Sequence, residues 1–247
     1  MTGRLRVIET GLASGRWNTA LSAALLRAGA DPSADACVRF YRFEPCVLLG
    51  LSQPYATAAV LAGGIEIARR ITGGGNVYMS PTMLAWDVVL RQTAPVDDMS
   101  LMIGSALASA LACLGYANVT ASATGLMLGG RKVSGVAMTS DRGAFLYQGT
   151  LLIDDETPAM AAALGVPRAS LAAHVTCLRD ASVDLPEPAQ LQAALATHLA
   201  ARFGCVASPG RLTAQEQAMA AREHTREVGG EAYVRGVEAD EARRARA

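Results

Sequence analysis

Lysine is almost missing from this sequence. Of 22 basic residues one is lysine, Lys132, and the rest are arginine. Acidic residues also number 22, so the formal net charge is zero. No overall field draws such a chain to nucleic acid or to an anionic membrane surface, and a partner has to be recognised locally. Cysteine is scarce and unpatterned: Cys37, Cys46, Cys113, Cys177 and Cys205 make an odd count with no C-x-x-C pair. This excludes a disulfide framework and predicts reduced thiols in a cytoplasmic protein. The three histidines, His174, His198 and His224, have no metal-site spacing. The N-terminus lacks an apolar run of signal length, and no stretch approaches the roughly 20 apolar residues of a membrane span. Neither an internal repeat nor a low-complexity linker is found.

What is present suits a globular chain with ample core. There are 247 residues, 51% of them hydrophobic and 18% charged, enough for one large domain or two small ones. Alternation predicts strands at Leu5–Glu9, Cys37–Phe43, Cys46–Leu51, Ile65–Ile71, Met83–Leu90 and Ala144–Ile153. Helical spacing marks Asn18–Arg27, with Asn18 as its cap, then Tyr55–Ala62, Pro158–Leu164, Pro188–Phe203 and Thr213–Val228. Asp97-Asp98 open a long apolar helix to about Leu114, where carboxylates suit the positive end of the helix dipole. Gly129-Gly130 between Leu126–Leu128 and Lys132–Thr139 reads as a hairpin turn. Trp17 and Trp86 read as packing residues. Together these elements predict an α+β domain: a mixed, largely antiparallel sheet flanked by helices. It is expected over residues 1–230, followed by a charged tail over 231–247 that frays from Val237.

Two stretches carry chemistry. Lys132 sits in Gly130-Arg131-Lys132-Val133-Ser134-Gly135, just after the turn. Lysine is a compact point charge on a flexible stem, whereas arginine is a planar fork. A site that sets one small cation against a carbonyl oxygen and a phosphate accepts the first and rejects the second. The alternative is one surface lysine surviving by chance; the glycine-rich setting favours the site. The second stretch is Arg69-Arg70-Ile71-Thr72-Gly73-Gly74-Gly75-Asn76. Glycines after a strand let backbone N–H groups turn towards an anion or let an acyl chain lie against the backbone, and a preceding arginine can neutralise a phosphate. Alone, such a run is more often just a tight turn. Neither the phosphate loop nor the dinucleotide fingerprint is present.

In order and separation, Arg69–Gly75, Gly130–Gly135 and Gln148-Gly149-Thr150-Leu151-Leu152 resemble the lipoate–protein ligase family. Asn18-Thr19-Ala20-Leu21, Arg39–Gln53, Val175-Thr176-Cys177-Leu178 and Leu212–Glu216 are similar to further segments of it, so the resemblance covers nearly the whole chain. It implies the biotinyl/lipoyl protein ligase fold, which is class II synthetase-like. It also implies activation of lipoate with ATP and Mg²⁺ to lipoyl-adenylate, and transfer of the acyl group to a lysine of a lipoyl domain. By resemblance Lys132 is catalytic, touching the lipoyl carbonyl oxygen and the adenylate phosphate. Arg70 would pair with phosphate or carboxylate. The backbone of Gly73, Gly74 and Gly75 would line the acyl tunnel, and Thr72, Asn76 and Val77 would also belong to the substrate- and adenylate-binding set. Ser134 and Gly135 would hold the adenylate, and Gln148 and Thr150 would border the same pocket. Biotin ranks below lipoate because the triple glycine resembles the lipoate branch.

Departures from the pattern set alternatives. Thr124-Gly125 stand where family ligases carry Asn-Asp at the nucleotide end, and Met79 stands for a histidine. No metal ligand is assigned; Asp154-Asp155-Glu156 read as loop charges. Family ligases also carry a small accessory domain after the catalytic one, so the resemblance implies either a separate accessory subunit or a protein that performs only part of the reaction. The same fold hosts acyltransferases that use a cysteine thiolate and no ATP. Their upstream cysteine is replaced here by Ala121–Thr124; Cys177, near His174 and Arg179, is the alternative nucleophile, although it lacks the Pro-Cys-Gly signature of the branch with a later cysteine and reads first as a small buried hydrophobe. A third alternative is a non-catalytic module that binds a lipoyl domain.

Overall fold

A computed structural model describes residues 3–56, 58, 63–181 and 184–236. Its frame is an eight-stranded sheet in the order β11-β1-β2-β6-β10-β9-β8-β7. In chain order the members are β1 (Gly3–Ala13), β2 (Ala36–Phe43), β6 (Leu84–Arg91), β7 (Val119–Ser122), β8 (Gly125–Leu128), β9 (Arg131–Asp141), β10 (Ala144–Leu151) and β11 (Cys205–Pro209). β1 runs parallel to β2 and β11, and every other pairing is antiparallel. A second, three-stranded sheet has the order β4-β3-β5, from β3 (Cys46–Leu49), β4 (Glu66–Arg69) and β5 (Val77–Met79). The expected mixed, largely antiparallel architecture is therefore what the chain forms.

Alternation along the central strands divides the core. On β6 and β10, Trp86, Val88, Phe145, Tyr147 and Leu151 point to one face, where α2 (Val96–Cys113) and α6 (Pro188–Arg202) cover them. α2 buries one side against both the sheet and its neighbour α6. Val89, Ala144 and Leu146 point the other way, towards α1 (Gly15–Ala28), with α7 (Ala214–Arg226) behind it. Further along the same face the small sheet takes the place of the helix: Tyr41, Phe43 and Ala85 meet Cys46, Leu48, Ala68 and Met79. Three short helices, α3 (Thr157–Leu164), α4 (Arg168–His174) and α5 (Leu178–Ala181), follow β10.

Several expectations are corrected. The cap of α1 is Ser14, whose hydroxyl accepts from Trp17 N; Asn18 is buried inside the helix and donates to the carbonyls of Ala13 and Arg42. Residues 231–236, assigned to the tail, belong to the folded unit. Val234 is buried against the small sheet, and the Arg69 guanidinium donates to the carbonyls of Tyr233 and Val234. Burial of one valine and saturation of a buried arginine outweigh the polar composition that suggested a tail. The helix expected at 55–62 falls partly outside the described residues, and the tail from 237 onward wholly so. α4, β5, β7 and β11 have no clear periodic pattern in the sequence; α4 buries no residue, and the three strands are short.

Candidate functional site

A cavity of about 300 Å³ opens between the two sheets. This is at the lower end of the roughly 300–1,000 Å³ usual for small-molecule sites. Its apolar floor is Tyr41, Phe43, Leu48 and Met79, where the large sheet meets the small one. One wall is the loop from β4 to β5 with Gly74, Gly75, Asn76 and Val77. The opposite wall is β9 and β10, with Lys132, Gly135, Gln148 and Thr150. The two stretches singled out in the sequence, nearly sixty residues apart, thus face one space.

Lys132 is placed by the hairpin. Gly129 and Gly130 take φ of +58° and +81°, the left-handed values a two-residue turn of this kind needs. The β8–β9 register then shifts, with Leu126 opposite Ser134 but Met127 opposite Lys132. The extra β9 residue, Val133, goes into the core, and such a bulge re-aims its neighbours. The Lys132 carbonyl accepts from Thr176 N, fixing the strand's outer edge. Among the described residues the ammonium has no ion pair, and burial alone pushes it below the usual lysine range.

Arg70 is nine-tenths buried and anchors the glycine loop from beneath. Nε and Nη2 donate to Gly73 O, Nη2 also to Gly75 O at 2.9 Å, and Nη1 to Leu48 O at 3.2 Å. Of the five N–H groups of a guanidinium this leaves one on Nη1. Among the described residues no carboxylate offsets its charge; burial pushes it down to about 10, so it stays protonated at neutral pH. The lining of the cavity contains no aspartate, glutamate, histidine or cysteine among the described residues. Two cations therefore share a partly enclosed space with no anion of the protein, an arrangement that an anionic ligand completes.

Not every expected residue reaches this space. Thr72 is buried behind the wall and donates to Gln148 Oε1 at 2.9 Å. Gly73 presents its carbonyl to Arg70 rather than to the cavity. Ser134 is buried, its carbonyl held against Gly125. Cys177 is buried and lines a separate cavity of about 100 Å³ with Asp154, Asp155 and Asp180; burial, the largest influence on its thiol, pushes it above the usual range. Neither property suits a nucleophile poised at the acyl site. Asp155 caps Thr157 and pairs with Arg168, while Glu156 accepts from Ser80, so the acidic run is spent on the loop.

Sequence reading missed the floor residues, which look like ordinary strand hydrophobes, and it missed Gly50. A Cβ on Gly50 would collide with the Gly74 carbonyl, so this glycine lets the loop lie against β3. Gly50→Ala should push the loop off its seat and lower stability by about 1–3 kcal/mol, as overpacking does; a smaller shift in the urea midpoint would contradict the contact.

The donor set does not fit a protein-held Mg²⁺. Hard divalent cations take oxygen ligands, usually with carboxylates. The cavity offers none, and no group of three or more His, Cys, Asp or Glu fit to hold a metal occurs among the described residues.

The sequence profile of the lipoyl protein ligase A/B catalytic domain matches residues 14–200. Octanoyltransferase LipM of Symbiobacterium thermophilum is 28% identical over 250 residues, covering 86% of this chain and 91% of its own. Lipoate-protein ligase A subunit 1 of Thermoplasma acidophilum is 30% identical over 186 residues, covering 68% and 69%. Among solved structures, a lipoate-protein ligase A bound with ATP superposes with a TM-score of 0.83 at 25% identity, covering 96% of this chain and all of that one.

Proposed function

The chain belongs to the lipoyl protein ligase A/B catalytic-domain family, and from that premise we propose that it is an ATP-dependent lipoate–protein ligase. In this reading the lipoate carboxylate attacks the α-phosphorus of ATP and displaces pyrophosphate. The amine of a lipoyl-domain lysine then attacks the acyl carbonyl and AMP leaves. Negative charge grows on the carbonyl oxygen in the second step, and a fixed cation in a water-poor cleft is worth most there. Lys132 supplies it. Arg70 holds the glycine loop and adds positive potential beneath the phosphate, while Gly74, Gly75 and Val77 contact the acyl chain over the apolar floor. A separate accessory subunit is part of the proposal, since the Thermoplasma relative is named as one subunit of a ligase. So is a reducing, cytoplasmic setting, which suits five free thiols.

One observation carries the choice of ligase over transferase: among the described residues, two cations without a carboxylate partner and no thiol line the cavity. The name of the Symbiobacterium relative supports the second reading, an ATP-independent octanoyl transfer through Cys177. Purified protein, lipoyl domain, lipoate and MgATP, with and without candidate accessory subunits, separate the two. A lipoyl mass gain on the domain together with pyrophosphate release supports the ligase. Gain from an octanoyl carrier protein without ATP, abolished by Cys177→Ser, overturns it in favour of the transferase.

The lowered Lys132 ammonium gives a pH test. Ligand anions need the protonated form, so affinity for an acyl-adenylate analogue should fall as pH rises through the lowered value, earlier than for an ordinary lysine. Free-protein stability should move the opposite way, because deprotonation relieves a buried charge as pH climbs from the folded towards the unfolded value. Titration calorimetry across the alkaline range, with Lys132→Met as the flat control, checks the first sign.

A further inference from the structure

One rung of the large sheet ends in the cavity. Arg39 on β2 lies opposite Asp87 on β6, and Asp87 lies opposite Gln148 on β10. Asp87 is fully buried, and its two oxygens have different partners. Oδ2 forms an ion pair with Arg39 Nη2 at 2.8 Å and lies 2.8 Å from Ser22 Oγ, whose one hydrogen is shared between it and the Asn18 carbonyl. Oδ1 accepts from Tyr41 OH at 3.0 Å and from Gln148 Nε2 at 3.2 Å. A carboxylate oxygen has about two lone-pair sites, so Oδ1 is filled by Tyr41 and Gln148 while Oδ2 faces the Arg39 cation. Its partners Tyr41 and Gln148 both line the cavity.

The consequence falls on Gln148. A side-chain amide has one donating and one accepting end, and either could face a ligand. An ionised carboxylate only accepts, so Asp87 compels the nitrogen to its side. Thr72 Oγ1 then donates to the oxygen, closing the other end. With one Nε2 hydrogen given to Asp87, the second is left over in a residue that lines the cavity beside Lys132. Resting on the ligase reading, we propose that Asp87 is a positioning residue that holds Gln148 with an N–H aimed at the acyl carbonyl oxygen, making Gln148 a second donor to it alongside Lys132.

The arrangement has a signature that general support of the fold would lack. If Asp87 acts through Gln148, removing both costs no more than removing Gln148. Gln148→Met keeps the volume and loses the donor; it should lower kcat for acyl transfer about a hundredfold, the scale of one lost oxyanion donor, with KM for the acceptor domain unchanged. Asp87→Asn lets the amide turn and should lower kcat by a similar factor, and the double variant should fall no further than Gln148→Met. Additive losses, or a Gln148→Met enzyme with full kcat, overturn the proposal. Should Asp87→Asn not fold, Thr72→Val and Thr72→Ser repeat the test from the other end of the amide. Valine should slow transfer and serine restore it; equal rates for valine and wild type overturn the proposal. Binding of a non-hydrolysable acyl-sulfamate analogue keeps this separate from the ligase reading. A wild type that binds the analogue but does not acylate refutes the ligase alone, and the proposal then stands or falls on a tenfold or greater weakening by Gln148→Met. A wild type that does not bind it refutes both.

Discussion

Replacing Lys132 with alanine is expected to lower acyl transfer by about 10²–10³-fold in kcat, the cost of removing one preorganised donor from a developing oxyanion. That is about 3–4 kcal/mol of transition-state stabilisation. The loss should be larger for transfer than for ground-state binding of lipoate, since the charge that the ammonium meets is greatest when the acyl bond is breaking. Stability should rise slightly or not change, because the variant removes a half-buried cation that no carboxylate among the described residues offsets. Lys132→Arg should not restore the rate: a planar fork cannot put its charge at the same point. The measurements are single-turnover acylation of a lipoyl domain and a thermal melt of each variant. An active Lys132→Ala protein would remove the chemical basis of the ligase reading.

Arg39→Met is expected to give the largest change in stability. Arg39 and Asp87 are both fully buried, 2.8 Å apart, with the guanidinium 3.6 Å from the centre of the Tyr41 ring. Breaking a buried pair from one side leaves an uncompensated charge, and typical costs are about 3–5 kcal/mol. For a domain of this length each kcal/mol shifts Tm by about 2–4 °C, so the melt should drop by about 6–20 °C. The pair is not a net gain over apolar packing, however. Arg39→Met combined with Asp87→Leu should recover much of the lost stability, while the orientation of Gln148, and with it transfer, stays impaired. Urea unfolding and acylation of the single and double variants separate the two effects. A single variant within 1 kcal/mol of wild type would show that the pair is not held as tightly as its geometry indicates.

The sequence was informative where a local rule had a single solution. Gly129-Gly130 gave the hairpin because two consecutive residues at positive φ admit little else. The alternating strands β2, β6 and β10 were readable because one face packs on helices and the other on α1 or the small sheet. Boundaries were harder. Asn18 looked like a cap, but its amide serves carbonyls of two other segments, and such partners leave no local trace. Arg70 and Thr72 were named for ligand contact, yet most of their hydrogen bonds go to the backbone of the loop and to Gln148. The motif marks the residues that build the site and does not distinguish builders from contacts.

By itself, then, the sequence determined the α+β class, the hairpin that carries the single lysine and the glycine loop that faces it, because each follows from periodicity or from backbone sterics within a few residues. Only the tertiary structure decided that Cys177 lies outside the cavity, that no acid among the described residues enters it, and that Arg39, Asp87 and Gln148 form one rung across β2, β6 and β10. Those facts depend on strand register between segments some fifty to sixty residues apart, and register is set by the packing of whole faces rather than by any residue's neighbours in the chain.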